Sequence, residues 1–174
     1  MRSGALPRNM SLTAFNPHHP TFECKREADE VPPIDPQAEE WLQEGLRITG
    51  SDRRFADRHF PDAALLWSQA AERNHWKALT NLAGLYGQGN GLGANAVRAD
   101  PERAVRIVES AMVLEVPAAF YAMGMYHYTG LGVRADSSRA YAFWQLAADM
   151  GSADAQARIG RALLAVYDNP KEKF

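Results

Sequence analysis

The chain has 174 residues, 46% of them hydrophobic, and a formal charge of −2. That length suits one domain or a short repeat array, and the near-neutral balance lacks the basic stripe of a nucleic-acid binder. No apolar run approaches the ~18 residues of a membrane-spanning helix, and the single cysteine, Cys24, excludes an intramolecular disulfide or a multi-cysteine zinc site.

Residues 1–35 read as an extended, Pro-rich arm. Pro7, Pro17, Pro20, Pro32 and Pro33 prevent a helix from running far through it. Eight carboxylates lie between Glu23 and Glu44 against Lys25 and Arg26, the composition of a solvated segment. The alternative is an arm folded back on the first helices, anchored by Phe15, Phe22, Val31 and Ile34. No apolar leader segment follows Met1, which leaves a cytoplasmic chain or one whose leader has been removed.

Residues 36–174 read as a helical domain. Asp35-Pro36 supplies an N-cap and an N1 proline, with Glu39 and Glu40 near the positive end of the dipole, and Thr49-Gly50 ends this first helix. After a polar connector, Pro61 opens a second helix to about residue 73, and Trp76 a third, which Gly87 is expected to end. Asp100-Pro101 caps a fourth helix reaching about Leu114, and Pro117 opens a fifth that stops at Gly130. Asp136 caps a sixth, closed by Gly151, and residues 152–166 form a seventh. No stretch shows sustained period-2 alternation, so the fold is all-α.

The helices repeat. Ala78-x-x-x-Leu82 returns as Ala119-x-x-x-Met123, 41 residues on. Gly89-Asn-Gly-Leu92 and Arg98-Ala-Asp100 return as Gly130-Leu-Gly-Val133 and Arg134-Ala-Asp136, with five residues, 93–97, inserted in the earlier copy. Trp67, Val108 and Trp144 fall in register, and so do Ala78, Ala119 and Ala155. A helix pair of this kind cannot bury its face alone, and stacking on the next pair supplies the core.

Ala119-x-x-x-Met-Gly124, Gly130-Leu-Gly-Val133, Asp136-x-x-Arg-Ala140, Trp144 and Ala147-Ala148-x-x-Gly151 resemble the Sel1-like repeat, a tetratricopeptide-like α/α unit. The resemblance is clearest over about residues 61–166 and implies a right-handed superhelical solenoid. His127, in a position usually held by tyrosine, departs from the pattern, as do Val108 and Glu115 in place of Trp and Gly. Pro20-Thr-Phe-Glu-Cys24, Val31-Pro-Pro-Ile-Asp-Pro36 and His75-Trp-Lys-Ala-Leu-Thr-Asn-Leu82 are similar to a bacterial Sel1-repeat group associated with type VI secretion phospholipase effectors. That resemblance implies a periplasmic immunity or accessory protein with a lipase or phospholipase as its partner. The alternative is a generic Sel1-type scaffold or regulator. In that group the chain continues past Tyr167-Asp-Asn-Pro170, and Leu163, Leu164 and Val166 do not read as a polar end cap. A truncated array, or a partner covering this end, is the expectation.

Chemistry finds little footing. The glycines at 87, 89, 91 and 93 lack the Lys-Ser/Thr ending of a phosphate loop and no strand precedes them. His18-His19 has no companion ligand, His59 and His75 are isolated, and His127 reads as a satisfied packing residue. Cys24 has no dyad partner nearby, and no Ser-x-x-Lys is present. The expectation is a non-catalytic protein without cofactor or metal. Binding then rests on the helix from Pro117, where Ala119, Met123 and His127 form one stripe and Tyr121, Met125 and Tyr128 another. Either both are buried between repeats, or the second is a partner-facing patch. Thr80 and Arg161 complete the candidate partner-binding set.

Overall fold

The computed structural model describes residues 32–168, with side chains through Leu164. Residues 1–31 of the arm, with the anchors Phe15, Phe22 and Val31, and Cys24 and His18-His19, lie outside the described residues, whereas Ile34 is half-buried. Seven α-helices follow one another there: α1 (Pro36–Thr49), α2 (Phe60–Glu72), α3 (Trp76–Gln88), α4 (Pro101–Met112), α5 (Pro117–Thr129), α6 (Ser137–Asp149) and α7 (Ala153–Asp168). The only β-type pairing among the described residues is a single bridge, Asn90–Val97.

Local chemistry sets the helix starts. The side chains of Asp35, Asp100 and Asp136 accept from the amides of Ala38, Arg103 and Arg139 at 3.1, 2.9 and 3.0 Å. Each such cap contributes about 1 kcal/mol. Two further caps are harder to read from sequence. His75 Nδ1 accepts from Ala78 N at 3.4 Å, and Ser152 Oγ accepts from Ala155 N at 3.3 Å.

The helices associate as α1–α2, α3–α4 and α5–α6, with α7 beginning a fourth unit against α6. Nine alanines explain how closely the units stack. Ala63, Ala104 and Ala140 are equivalent, as are Ala70, Ala111 and Ala147, and Ala78, Ala119 and Ala155, and every one is 0% exposed. Only a methyl fits where neighbouring backbones approach this closely. Tyr86, Ile107, Met112 and Phe143 each pack against more than one buried cluster, which makes the core continuous from unit to unit.

The five-residue insertion leaves the repeat intact. Asn90 and Val97 exchange both backbone bonds, at 3.0 and 2.7 Å, and so close the inserted segment off as a loop. Downstream, Asp100 N donates to Tyr86 O at 2.7 Å and Asp136 N donates to His127 O at 2.9 Å, the same contact in consecutive units.

Some boundaries differ from expectation. Gly87 and Gln88 are helical, and the turn begins at Gly89. A methyl on Gly87 would lie 2.8 Å from the Tyr126 hydroxyl, so this glycine serves a close approach between helices and not a turn. The second helix begins at Phe60, the fourth ends at Met112 and the seventh reaches Asp168.

Candidate partner-binding face

The two stripes of α5 have different fates. Ala119, Met123 and His127 are buried. Tyr121 and Met125 are half-buried, and Tyr128 is 51% exposed. The repeat explains what the second stripe faces. On α3 the positions equivalent to Tyr121, Met125 and Tyr128 are Thr80, Gly84 and Gly87. At Tyr121 and Met125, large side chains on one helix therefore confront small ones on its neighbour, and a cavity of about 510 Å³ opens between them. Thr80, Gly84, Gln88, Tyr121, Met125 and Leu131 line it, and the buried Ala83 and Tyr126 also border it. A methyl on Gly84 would touch nothing within 4 Å.

Thr80, Tyr121 and Met125 are thus brought together. Tyr128 and Arg161 do not border this cavity. Tyr128 turns toward α6 and α7, with its ring centroid 5.4 Å from that of Trp144. The Arg158 guanidinium lies 4.6 Å from the Tyr128 ring centroid and 4.9 Å from that of Trp144. Arg161 is exposed on α7. The Thr80 hydroxyl donates to Lys77 O at 3.0 Å, so it is spent on its own helix. Sequence reasoning missed Gly84, Gly87 and Gln88, which the 41-residue offset from α5 would have located. It also missed Arg158, whose partners lie on other helices.

Two of the histidines, His75 and His127, are buried in the packing. His75 is buried, with Nδ1 accepting a backbone amide and Nε2 donating to Glu39 Oε2 at 2.9 Å. Both ring nitrogens are occupied in tying α1 to the start of α3. Hydrogen bonds from Gln43 and then His75 hold the Glu39 carboxyl below the usual range. His127 stacks on Phe143 at 5.5 Å, as expected of a packing residue, but its Nδ1 is buried without a hydrogen-bond partner among the described residues. The expectation of a satisfied histidine is therefore corrected. Among the described residues, no three His, Cys, Asp or Glu side chains are grouped to hold a metal ion, and no helix is long and apolar enough to cross a membrane.

Stacked helix pairs with an open groove between first helices define a helical-repeat protein of the kind that binds other proteins. The Sel1 repeat profile matches residues 76–111 and 117–152, so α3–α4 and α5–α6 are Sel1 repeats. No curated protein matches the chain in sequence. Among solved structures, it is similar to the immunity protein Pa5087 from Pseudomonas aeruginosa, with TM-score 0.68 and 32% identity, covering 84% of this chain and 53% of that one. Pseudomonas aeruginosa PA5086 gives TM-score 0.66 and 33% identity over 86% of this chain and 53% of that one. The immunity protein PA5088 from the same organism gives 0.64 and 28%, over 86% and 54%. The chain thus spans about half the length of each.

Proposed function

We propose that this chain is an immunity protein that binds a secreted effector through the first-helix face of its repeats and neutralises it by occlusion. The effector is of phospholipase type, delivered by type VI secretion, and the encounter takes place in the periplasm. The observation that carries the binding role is the Tyr121–Met125–Tyr128 stripe, half-buried to exposed, whose Tyr121 and Met125 line an open groove. Aromatic and methionine side chains held on a rigid helix are the residues interfaces favour, because each buries a large apolar area. The likeness to Pa5087 and PA5088 supports the immunity role.

The test is co-expression with a type VI phospholipase effector, taken from a neighbouring reading frame of the source genome where one is found, reading both co-purification and survival of the host. Tyr121→Ala with Tyr128→Ala is expected to weaken binding at least about tenfold, as loss of two interface anchors does. Intact binding by a double variant that still gives the parent's helical circular dichroism would remove this face from the interface. Failure of the wild-type pair to associate would remove the phospholipase.

A further inference from the structure

The charges around the groove are one-sided. Within Trp76–Gln88 the only charged side chain is Lys77, and Pro117–Thr129 carries no acid or lysine and only the buried His127. On α7, Arg158 and Arg161 make no ion pair or hydrogen bond among the described residues, and Arg158 is engaged only through the rings of Tyr128 and Trp144. The acids nearby are few. Asp154, in the first turn of α7, forms no ion pair with a described residue, Asp149 accepts from Gln145 at 3.0 Å, and Asp136 is drawn to Arg139 at 3.4 Å. At the far end of the molecule, Glu44 is neutralised where it stands by a two-pronged bond from Arg47.

Across α5 from the apolar groove stands Arg158, and the exposed Arg161 follows one turn later on α7, both without carboxylate partners among the described residues. Arg158 is also pre-positioned: contact of its guanidinium with two aromatic rings holds it in place, and its N–H groups remain able to donate. We propose that the groove receives an extended, acidic segment of the partner protein, seating one apolar side chain between Thr80, Gly84, Tyr121 and Met125 and setting a carboxylate on Arg158 and Arg161. This rests on the reading of the face as the partner site, and it names the chemistry of what docks there. Crossing α5 from the groove to Arg158 covers roughly one helix diameter, about 10 Å. In an extended strand that is about three residues from apolar anchor to acid. Guanidinium–carboxylate pairing across this edge fixes the direction in which the segment lies and rejects basic segments.

The full chain is titrated, by fluorescence anisotropy, with two labelled dodecapeptides that share a central Leu-Phe and differ only in flanking Asp and Glu or flanking Lys. The acidic peptide is expected to bind at least about tenfold tighter, with the preference collapsing at high salt. Gly84→Leu projects into the groove from a position where a first methyl meets nothing within 4 Å, and should abolish binding of both peptides. Arg161→Glu, at an exposed position, should weaken the acidic peptide about fivefold or more and spare the basic one. Equal affinity for the two peptides, or an acidic peptide indifferent to Arg161→Glu, overturns the inference. So does a groove filled by a second copy, seen as concentration-dependent dimers that Gly84→Leu abolishes. The same variants separate this inference from the function above. A phospholipase lost on Gly84→Leu but untouched by Arg161→Glu leaves the face as partner site and removes the charge rule, whereas one retained by both removes the face itself.

Discussion

Glu115 stands where its counterpart in the next unit is Gly151, and both have positive φ, 54° and 94°. Asn74, at the same place one unit earlier, has φ 58°. Asparagine tolerates this region and glycine adopts it freely, but for glutamate the Cβ contact costs about 1–2 kcal/mol. Glycine also enlarges the entropy lost on folding by about 0.4–1 kcal/mol. Glu115→Gly is therefore expected to stabilise the fold by a net amount of about 0.5–1 kcal/mol, read as a raised urea midpoint. A lowered midpoint would mean that the exposed Glu115 side chain contributes something its surroundings do not suggest. A second residue-scale device joins α5 to α3. The Tyr126 hydroxyl, buried and pushed above the usual phenol range by that burial, donates to Ala83 O at 2.9 Å beside Gly87. Tyr126→Phe should cost about 1 kcal/mol. Gly87→Ala should cost more in the parent than in Tyr126→Phe, because the hydroxyl that obstructs the new methyl is then gone. Equal costs in the two backgrounds would place the obstruction elsewhere.

Between paired helices the repeat trades volume. Gly45 on α1 faces the Trp67 indole of α2, and Gly124 on α5 faces Trp144 of α6, each so closely that a methyl would overlap the ring. In the middle unit Ala83 and Val108 take these roles, and both are buried in one cluster. A larger residue on one helix is matched by a smaller one on the other, as close packing demands. Gly124→Ala alone should destabilise by about 1–3 kcal/mol through overpacking, and Trp144→Val alone by about 2–4 kcal/mol through the void it leaves. Together they reproduce the middle unit's pair and should cost at least about 1 kcal/mol less than the sum, measured as a double-mutant cycle in urea. Strict additivity would mean that the two positions do not share one space. This exchange also explains what was legible beforehand. The Asp-Pro starts and the 41- and 36-residue spacings announce seven helices and their stacking, because caps and small-residue contacts are local and recur. Gly87 misleads, because a glycine that admits a hydroxyl from another helix looks, in one dimension, like a glycine that turns the chain. The Tyr121–Met125 stripe was visible as a periodicity on α5. The groove beside it was not, since it exists only as a difference between α5 and the small side chains of α3. Arg158 was hidden for the same reason, its aromatic partners standing on α5 and α6.

At the scale of the molecule, α1 is held to the rest partly by carboxylates. Asp35 accepts the amide of Ala38 and meets Arg73 at 3.0 Å, while Glu39 binds His75 at 2.9 Å and Arg73 lies 5.1 Å over the Trp41 ring. These bonds favour the ionised form. The backbone amide of Ala38, more than Arg73, lowers Asp35, and Gln43 and then His75 lower Glu39. Asp136 is lowered by the amide of Arg139, and Glu44 by Arg47. Each group titrates lower when folded than unfolded, so in the interval between, the unfolded chain binds more protons. Stability then falls as pH falls, and the contribution is lost once pH drops through the folded values. The urea midpoint should be flat from neutrality to about pH 5.5 as far as these groups are concerned, and should decline steeply below about pH 4.5. Glu39→Gln isolates one part of this. Its amide oxygen can still accept from His75 Nε2 but cannot be protonated in this range, so the variant should lose less between about pH 5 and 3 than the parent. An acid slope identical to the parent's would show that Glu39 is not among the groups whose protonation unfolds the chain. Because Glu39 and Asp35 both sit on α1, protonation should first be felt there. Amide exchange measured at about pH 4 should rise in Pro36–Thr49 before it rises in α5 and α6. Uniform loss of protection would instead mean that the stacked units melt as a single cooperative body, with α1 part of it.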